Sequence, residues 1–477
     1  MEQLHYAGAE LTPWSWAWIR VRAWRHMLDM LRLSPPIIAS RLAGFFLVVV
    51  DTMMVLRYSA SHNQWLSAGV SASNIFLGAS IGFTVGVPVL VSRFYGAKKY
   101  DQIGNTWRHG LIWSIITGGI FSIACILLAK PILHIGDSDI IKHAYPIAVV
   151  YSLSFIPNMI WMVGSGVLEG TERPVPVFVL SIFGNVLNIL LNWFFVYGVL
   201  FFPEWGAIGS AFASLSVRVF MAIITTLYVL NINVAKKFNL RSLYVEPFKK
   251  WKELRAQGNA AAIAIFFEMG GWSLFGLYAV RKPLTMVDTA AWTINMQILA
   301  TIFMIALGLG AATGVRVGVA RGRKDFDDQI FAILVGVGIT VFALIIAGLL
   351  AFIFAENLAS IFNTDPTIIM FSASLTIYLL WVFIPDGIQV VLAQSLRTSG
   401  ITWITTFIAA ASYGTILPIS GYILAFEMGR GIKGMFEALI IGCWIISISY
   451  FILLFFRFKD IKKMTLEGDD EPIDIKG

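Results

Sequence analysis

The chain has 477 residues, of which 58% are hydrophobic and 13% charged, with a formal net charge of +7 and a mean hydropathy of +0.77. Soluble domains carry about 25% charged residues, so this composition excludes a soluble enzyme or a soluble binding module as the body of the protein. Apolar runs of about 20 residues, each able to cross roughly 30 Å of hydrocarbon, recur along nearly the whole sequence. They are too long and too continuous for barrel strands, and only helices otherwise satisfy the backbone in lipid. The sequence reads as an all-α polytopic membrane protein.

The first element is a short segment with Trp14, Trp16, Trp18 and Trp24 among Arg20, Arg22 and Arg25. This is the composition of an amphipathic helix lying in the membrane interface, and it lacks the apolar stretch of a cleavable signal peptide. Twelve spans are expected near 34–58, 67–92, 106–129, 143–168, 174–198, 207–230, 258–281, 289–314, 329–354, 366–396, 402–426 and 434–456. The organisation that follows is a cytoplasmic amphipathic segment (1–33), a six-helix bundle (34–230), a basic linker (231–257), a second bundle (258–458) and a tail (459–477).

The basic residues are unevenly placed. Even-numbered loops hold Arg93, Lys98, Lys99, Lys236, Lys237, Lys249, Lys250, Arg321, Arg323 and Lys324, whereas the opposite loops hold little beyond Lys130, Lys142, Arg281, Lys282, Arg430 and Lys433. Positive charge collects on the cytoplasmic side, so both termini are expected in the cytoplasm, as in a bacterial plasma-membrane protein. The net charge is thus explained by topology, and a nucleic-acid partner is not indicated. Cys125 and Cys443 fall in separate apolar spans and read as free buried thiols.

The chain also repeats itself. GVPVLVSRFYGAKKYDQIGN aligns with AATGVRVGVARGRKDFDDQI, setting Gly96 against Gly322, 226 positions apart. FIPNMIWMVGSGVLEGTERP aligns with FIPDGIQVVLAQSLRTSGIT, setting Pro157 against Pro385, 228 apart. With six spans in each half, the halves share one orientation. Parallel repeats of this kind are a transporter signature, with substrate expected in a central cavity between them. The spaced glycines Gly78, Gly82 and Gly86 on the second span mark a face for close helix packing.

Three acidic residues stand inside apolar runs: Asp51, Glu268 and Asp386. A carboxylate at that depth costs at least a few kcal/mol, by about the lowest scales, and marks an ion or proton pathway more often than a structural pair. Other intramembrane polar residues call for plainer readings. Arg218 should satisfy an interior carbonyl or carboxylate, Arg41 should snorkel to the surface with no special role, and His109 should face the interface.

Together these features resemble the multidrug and toxic compound extrusion (MATE) family. The residues that carry the likeness are Pro36…Asp51-Thr52 in the first span, the glycine-rich second span, FGNVLNILLNWFFVYG in the fifth and EWGAIGSAFAS before the sixth. It extends from about Ser34 to Phe458, and the acidic positions look NorM-like. The resemblance implies that Asp51 is the first-helix aspartate, that Pro36 is a proline whose bend accompanies protonation, and that Asn188 partners the aspartate. Asn192 stands where some relatives carry a second aspartate. Glu268 and Asp386 resemble the seventh- and tenth-helix carboxylates of the NorM-like branch. One departure matters: a tyrosine one turn before the tenth-helix aspartate is replaced by Val382, which removes an oxygen from any sodium site.

Burial disfavours a charged carboxyl, so such a group can load and release a proton across ordinary pH gradients. Asp51 suits that task, with Asn188 and Asn185 as neutral partners. Glu268 and Asp386 either share a proton or hold a cation between them, with Gln389 one turn on and Asn295 or Gln297 as further oxygen ligands. The expected function is secondary multidrug export, antiporting cationic amphiphiles against H+ and/or Na+, by a monomer whose only other partner is membrane lipid. No cofactor is called for, and no GxxxxGK[ST] phosphate loop points to ATP. A lipid-linked oligosaccharide flippase of similar architecture is the main rival, disfavoured because its cavity would be basic. A membrane-embedded enzyme is disfavoured by the lack of HExxH, GxSxG or a Cys/His ligand spacing.

Overall fold

In the computed structural model, the described residues are 11–133, 138–199, 202–279 and 283–467. Arg281, Lys282, the first ten residues and the tail beyond 467 lie outside them. Among the described residues, twelve helices are long and apolar enough to cross a membrane. In chain order they are α1 (Trp16–Tyr58), α2 (Ala60–Gly96), α3 (Tyr100–Leu133), α4 (Ile140–Gly170), α5 (Val175–Tyr197), α6 (Ala207–Asn231), α7 (Phe248–Ala279), α8 (Met286–Gly322), α9 (Phe326–Ile353), α10 (Pro366–Thr398), α11 (Trp403–Glu427) and α12 (Gly431–Phe456). No strand occurs among the described residues. The chain is an all-α, twelve-span membrane protein.

Local chemistry sets several of the ends. α8 starts at a capping box in which Thr285 accepts from the Asp288 amide and the Asp288 carboxylate accepts from the Thr285 amide. α6 follows Gly206, whose φ of +56° and position against the His62 ring leave no room for a side chain. α2 turns at 83–85 between two helical pieces, and α11 is widened by π-type turns at Ser412–Ile416 and Ile423–Glu427.

The duplication is visible in the backbone. Lys98 and Lys324, 226 positions apart, both adopt left-handed φ angles, +57° and +60°. Glu172 and Gly400, 228 apart, do the same at +61° and +97°. The same tight turn therefore closes the corresponding loops of each repeat.

The residues form two compact units. The first is Ala39–Phe266; the second comprises the residues up to Ile38 and those from Phe267 onward. α1 and α7 each supply residues to both. In the first unit the core gathers around Trp107, Val163, Val167, Leu168 and Val217. Gly82 lets α2 approach α7 so closely that a Cβ there would lie 2.3 Å from Ala262 Cα, the packing role expected of the glycine face.

The second unit holds the main departure from the sequence reading. The stretch expected as an interfacial segment is helical from Trp16 and runs without a break through Pro35 and Pro36 into α1. Arg22, Arg25 and His26 are buried rather than exposed at a surface. The cause is Asp328 at the start of α9. It pairs with Arg22 at 2.6 Å, His26 Nε2 at 2.9 Å, Arg323 at 2.5 Å and Arg25. Asp29 meets Arg316 at 2.8 Å. Matching of this kind offsets the cost of taking charges out of water. Met30, Leu33 and Ile37 pack beside them on Ala312.

Candidate functional site

Asp51 lies on α1 in the first unit and is buried. Its Oδ1 accepts from Asn188 Nδ2 at 2.9 Å and Asn192 Nδ2 at 2.7 Å, both on α5, four residues and one turn apart. Its Oδ2 accepts from Ser214 Oγ on α6 at 2.5 Å. Three neutral donors thus hold one carboxylate. The amide oxygens of Asn188 and Asn192 are buried without a partner. An amide turned about its last torsion presents oxygen instead of NH2, so the same two side chains can serve a carboxylate or a carboxylic acid.

The other residues expected at this site are arranged differently. Asn185 donates to the carbonyls of Ala43 and Ser181, both at 2.9 Å, and so links α5 to α1 without touching Asp51. Pro36 lies four turns before Asp51 along α1 and belongs to the other unit. Arg218, expected on a carbonyl or carboxylate, instead donates to Ser154 Oγ and to Tyr151 Oη. Arg41, given no role in advance, pairs with buried Glu169 at 2.8 Å. His109 is buried and stacks on Trp251 at 4.5 Å rather than facing an interface.

In the second unit, Glu268 on α7 and Asp386 on α10 act on each other electrostatically. Asp386 is buried, and its Oδ1 accepts from Gln389 Nε2 at 3.1 Å. The same Gln389 nitrogen reaches Tyr413 Oη at 3.0 Å, and Cys443 Sγ lies 4.0 Å from Asp386. Tyr413 sits in the first π-type turn of α11 and brings a phenol oxygen to a site that Val382 cannot supply. Glu268 is half-buried and makes no hydrogen bond among the described residues. Arg397, in the last turn of α10, acts on it through its field.

Neither further ligand expected from α8 is engaged here. Asn295 donates to Ala291 O, Ser372 O and Ser372 Oγ and thereby ties α8 to α10. Gln297 has no side-chain hydrogen bond among the described residues. Cys125 and Cys443 are free and buried, as the sequence indicated. Ser214, Tyr413 and the nearness of Cys443 to Asp386 escaped sequence reading; the one available cue was Ser214, a turn before the conspicuous Arg218.

A family model described as MatE matches the chain twice, at residues 36–194 and 263–423. The matches start 227 positions apart, in step with the spacing of the repeats. A probable multidrug resistance protein NorM of Caulobacter vibrioides is 28% identical over 437 residues, covering 91% of this chain and 92% of that one. Multidrug resistance protein MdtK of Photorhabdus laumondii is 24% identical over 458 residues, covering 92% and 97%. Among solved structures, the eukaryotic MATE transporter AtDTX14 superposes with a TM-score of 0.86 at 18% identity, covering 94% of this chain and 99% of that one. A MOP superfamily transporter from Pyrococcus furiosus gives 0.80 at 18% identity, covering 91% and 96%. These two establish the fold. Because both repeats match the family model, the chain belongs to the MatE family and is a transporter rather than an enzyme.

Proposed function

We propose that the chain is a secondary multidrug exporter that antiports cationic amphiphilic compounds against H+ and/or Na+ by alternating access. The observation that carries this reading is the setting of Asp51, one buried carboxylate held by three neutral donors. A neutral cradle stabilises the carboxylate without locking it in that form as an arginine pair would, so Asp51 is the proton-loading group. The names of the bacterial relatives support drugs as the cargo.

Glu268, Asp386 and Gln389 form the second coupling site. Two mutually repelling carboxylates with one donated hydrogen bond suit a shared proton or a monovalent cation such as Na+. Antiport follows if ion and drug favour different conformers or compete for the same carboxylates. The loop asymmetry of Lys and Arg supports a bacterial-type plasma-membrane protein with both termini in the cytoplasm. The two six-helix halves, 34–230 and 258–458, are the working parts of a monomer.

The test is ethidium movement in proteoliposomes under an imposed pH gradient, an imposed sodium gradient, or none. Ion-driven dye movement is the expected result, and the effective gradient identifies the ion. If neither gradient moves dye beyond the blank, the antiport reading is overturned and lipid-linked substrates are tested next.

A further inference from the structure

Arg218 is a buried guanidinium without a carboxylate partner. It is 8% exposed, donates to Ser154 Oγ and, at 2.7 Å, to Tyr151 Oη, and lies 4.4 Å from the centre of the Tyr151 ring. Among the described residues it makes no ion pair. A buried cation in contact with no carboxylate is costly, so its presence calls for a reason. Its position supplies one: it stands one helical turn after Ser214, the donor on Asp51 Oδ2, and its field acts on Asp51.

The repeat gives an internal control. Gly206 and Gly431, 225 positions apart, precede or open α6 and α12 with φ angles of +56° and +57°. Three residues later, Gly209 and Gly434 each lie where a Cβ would strike backbone, at Phe195 O and at Leu424. The same register sets Arg218 against Cys443. One repeat therefore carries a cation beside its site where the other carries a neutral thiol.

We propose that Arg218 is a positioning residue for cargo release, a fixed positive charge beside Asp51 that weakens the binding of cationic cargo throughout the cycle. The inference rests on Asp51 being the proton-loading group. With Asp51 ionised, the two charges cancel and the cluster tolerates a cation. Once Asp51 takes up a proton, the cluster carries one net positive charge and expels it. Without Arg218, protonation would leave a merely neutral site that retains cargo. Binding that is tight in every state slows turnover rather than helping it.

The experiment measures tetraphenylphosphonium affinity of the purified full-length protein and ethidium turnover in proteoliposomes. Arg218→Gln keeps a donor for the two hydroxyls and removes the charge. It should bind tetraphenylphosphonium about tenfold more tightly, the effect of one unit charge about 12 Å away at an effective dielectric of about 20, and turn over more slowly. Arg218→Lys should stay near wild type, as should Tyr151→Phe, which removes a hydrogen bond and leaves the charge. Asp51→Asn should weaken binding, and Asp51→Asn combined with Arg218→Gln should recover it. Unchanged or weaker binding in Arg218→Gln, in a protein that remains monodisperse, overturns the proposal, because loss of a merely structural contact does not tighten binding. If Asp51→Asn alone leaves affinity untouched, the reading of Asp51 fails while the direct effect of Arg218→Gln still judges this inference.

Discussion

The two units solve the problem of a carboxylate at membrane depth in opposite ways. In the first, Asp51 has both oxygens engaged by Asn188, Asn192 and Ser214, with the Arg218 cation one turn beyond Ser214 on α6. In the second, Asp386 receives one hydrogen bond from a side-chain nitrogen, and Glu268 receives none among the described residues. The repeats share a backbone but not a charge pattern. At one repeat-equivalent position on α4 and α10 stand Glu169, in a formed pair with Arg41, and Arg397, which reaches Glu268 only through its field. At another stand Asn158 and Asp386. Duplication preserves the geometry that packs helices, whereas the charged and neutral side chains at equivalent positions differ between the halves.

The strongest test of this contrast is Asp51→Asn. It should lower proton-driven ethidium transport in proteoliposomes by roughly 100-fold, the upper range of coupling between linked sites, while the protein remains folded because Asn fits the same cradle. Retention of proton-driven transport would break the assignment of the single-carboxylate unit.

Next in size is Arg41→Met, which strands Glu169 in the interior. Arg41 is 23% exposed, so the penalty should be about 2 kcal/mol, below the full cost for a sealed pair. Thermal unfolding should register the loss, and adding Glu169→Leu should largely reverse it. If the double variant is no better, the pair is not what holds α1 to α4.

A smaller effect is expected in the second unit. Glu268→Gln or Asp386→Asn should each cut sodium-stimulated transport at constant pH by about tenfold, and the double variant should be little worse, as for groups that act as one unit. Sodium-independent transport, unchanged in both variants, would sink the cation-site reading. The smallest is Ser214→Ala, which removes one of the three donors on Asp51 and should cost about 1 kcal/mol in stability. In the second unit, Cys443→Ala should cost less, because its sulfur is 4.0 Å from Asp386.

Much was legible in the sequence. All twelve spans, the duplicated loops around Gly96 and Gly322, and the carboxylates Asp51, Glu268 and Asp386 follow from apolar run length, self-similarity and the cost of charge in lipid. Asn188 and Gln389 were read as neighbours of those carboxylates and lie on them, and Asn192, noted only as the place of a second aspartate in relatives, joins Asn188 on Asp51. Asn185 and Asn295 were read the same way, yet their amides link helices elsewhere. Asn185 and Asn188 are three positions apart, so a rotation of α5 by a fraction of a turn decides which of them meets Asp51. No single-sequence pattern fixes that rotation.

The sequence by itself determined that this chain is a bundle of membrane helices in two like-oriented repeats, because in a bilayer each helix must satisfy its own backbone and cover it with apolar side chains. Tertiary structure alone decided which polar groups meet. Arg22, Arg25 and His26 look like an interfacial fringe until Asp328, about 300 positions away, draws them inside. Ser214 and Tyr413 look ordinary until the packing of α6 and the π-type turn of α11 aim them at their sites. Apolar periodicity is a local property of the chain, but the pairing of charges and hydrogen bonds depends on helix rotation and depth, which only the assembled bundle sets.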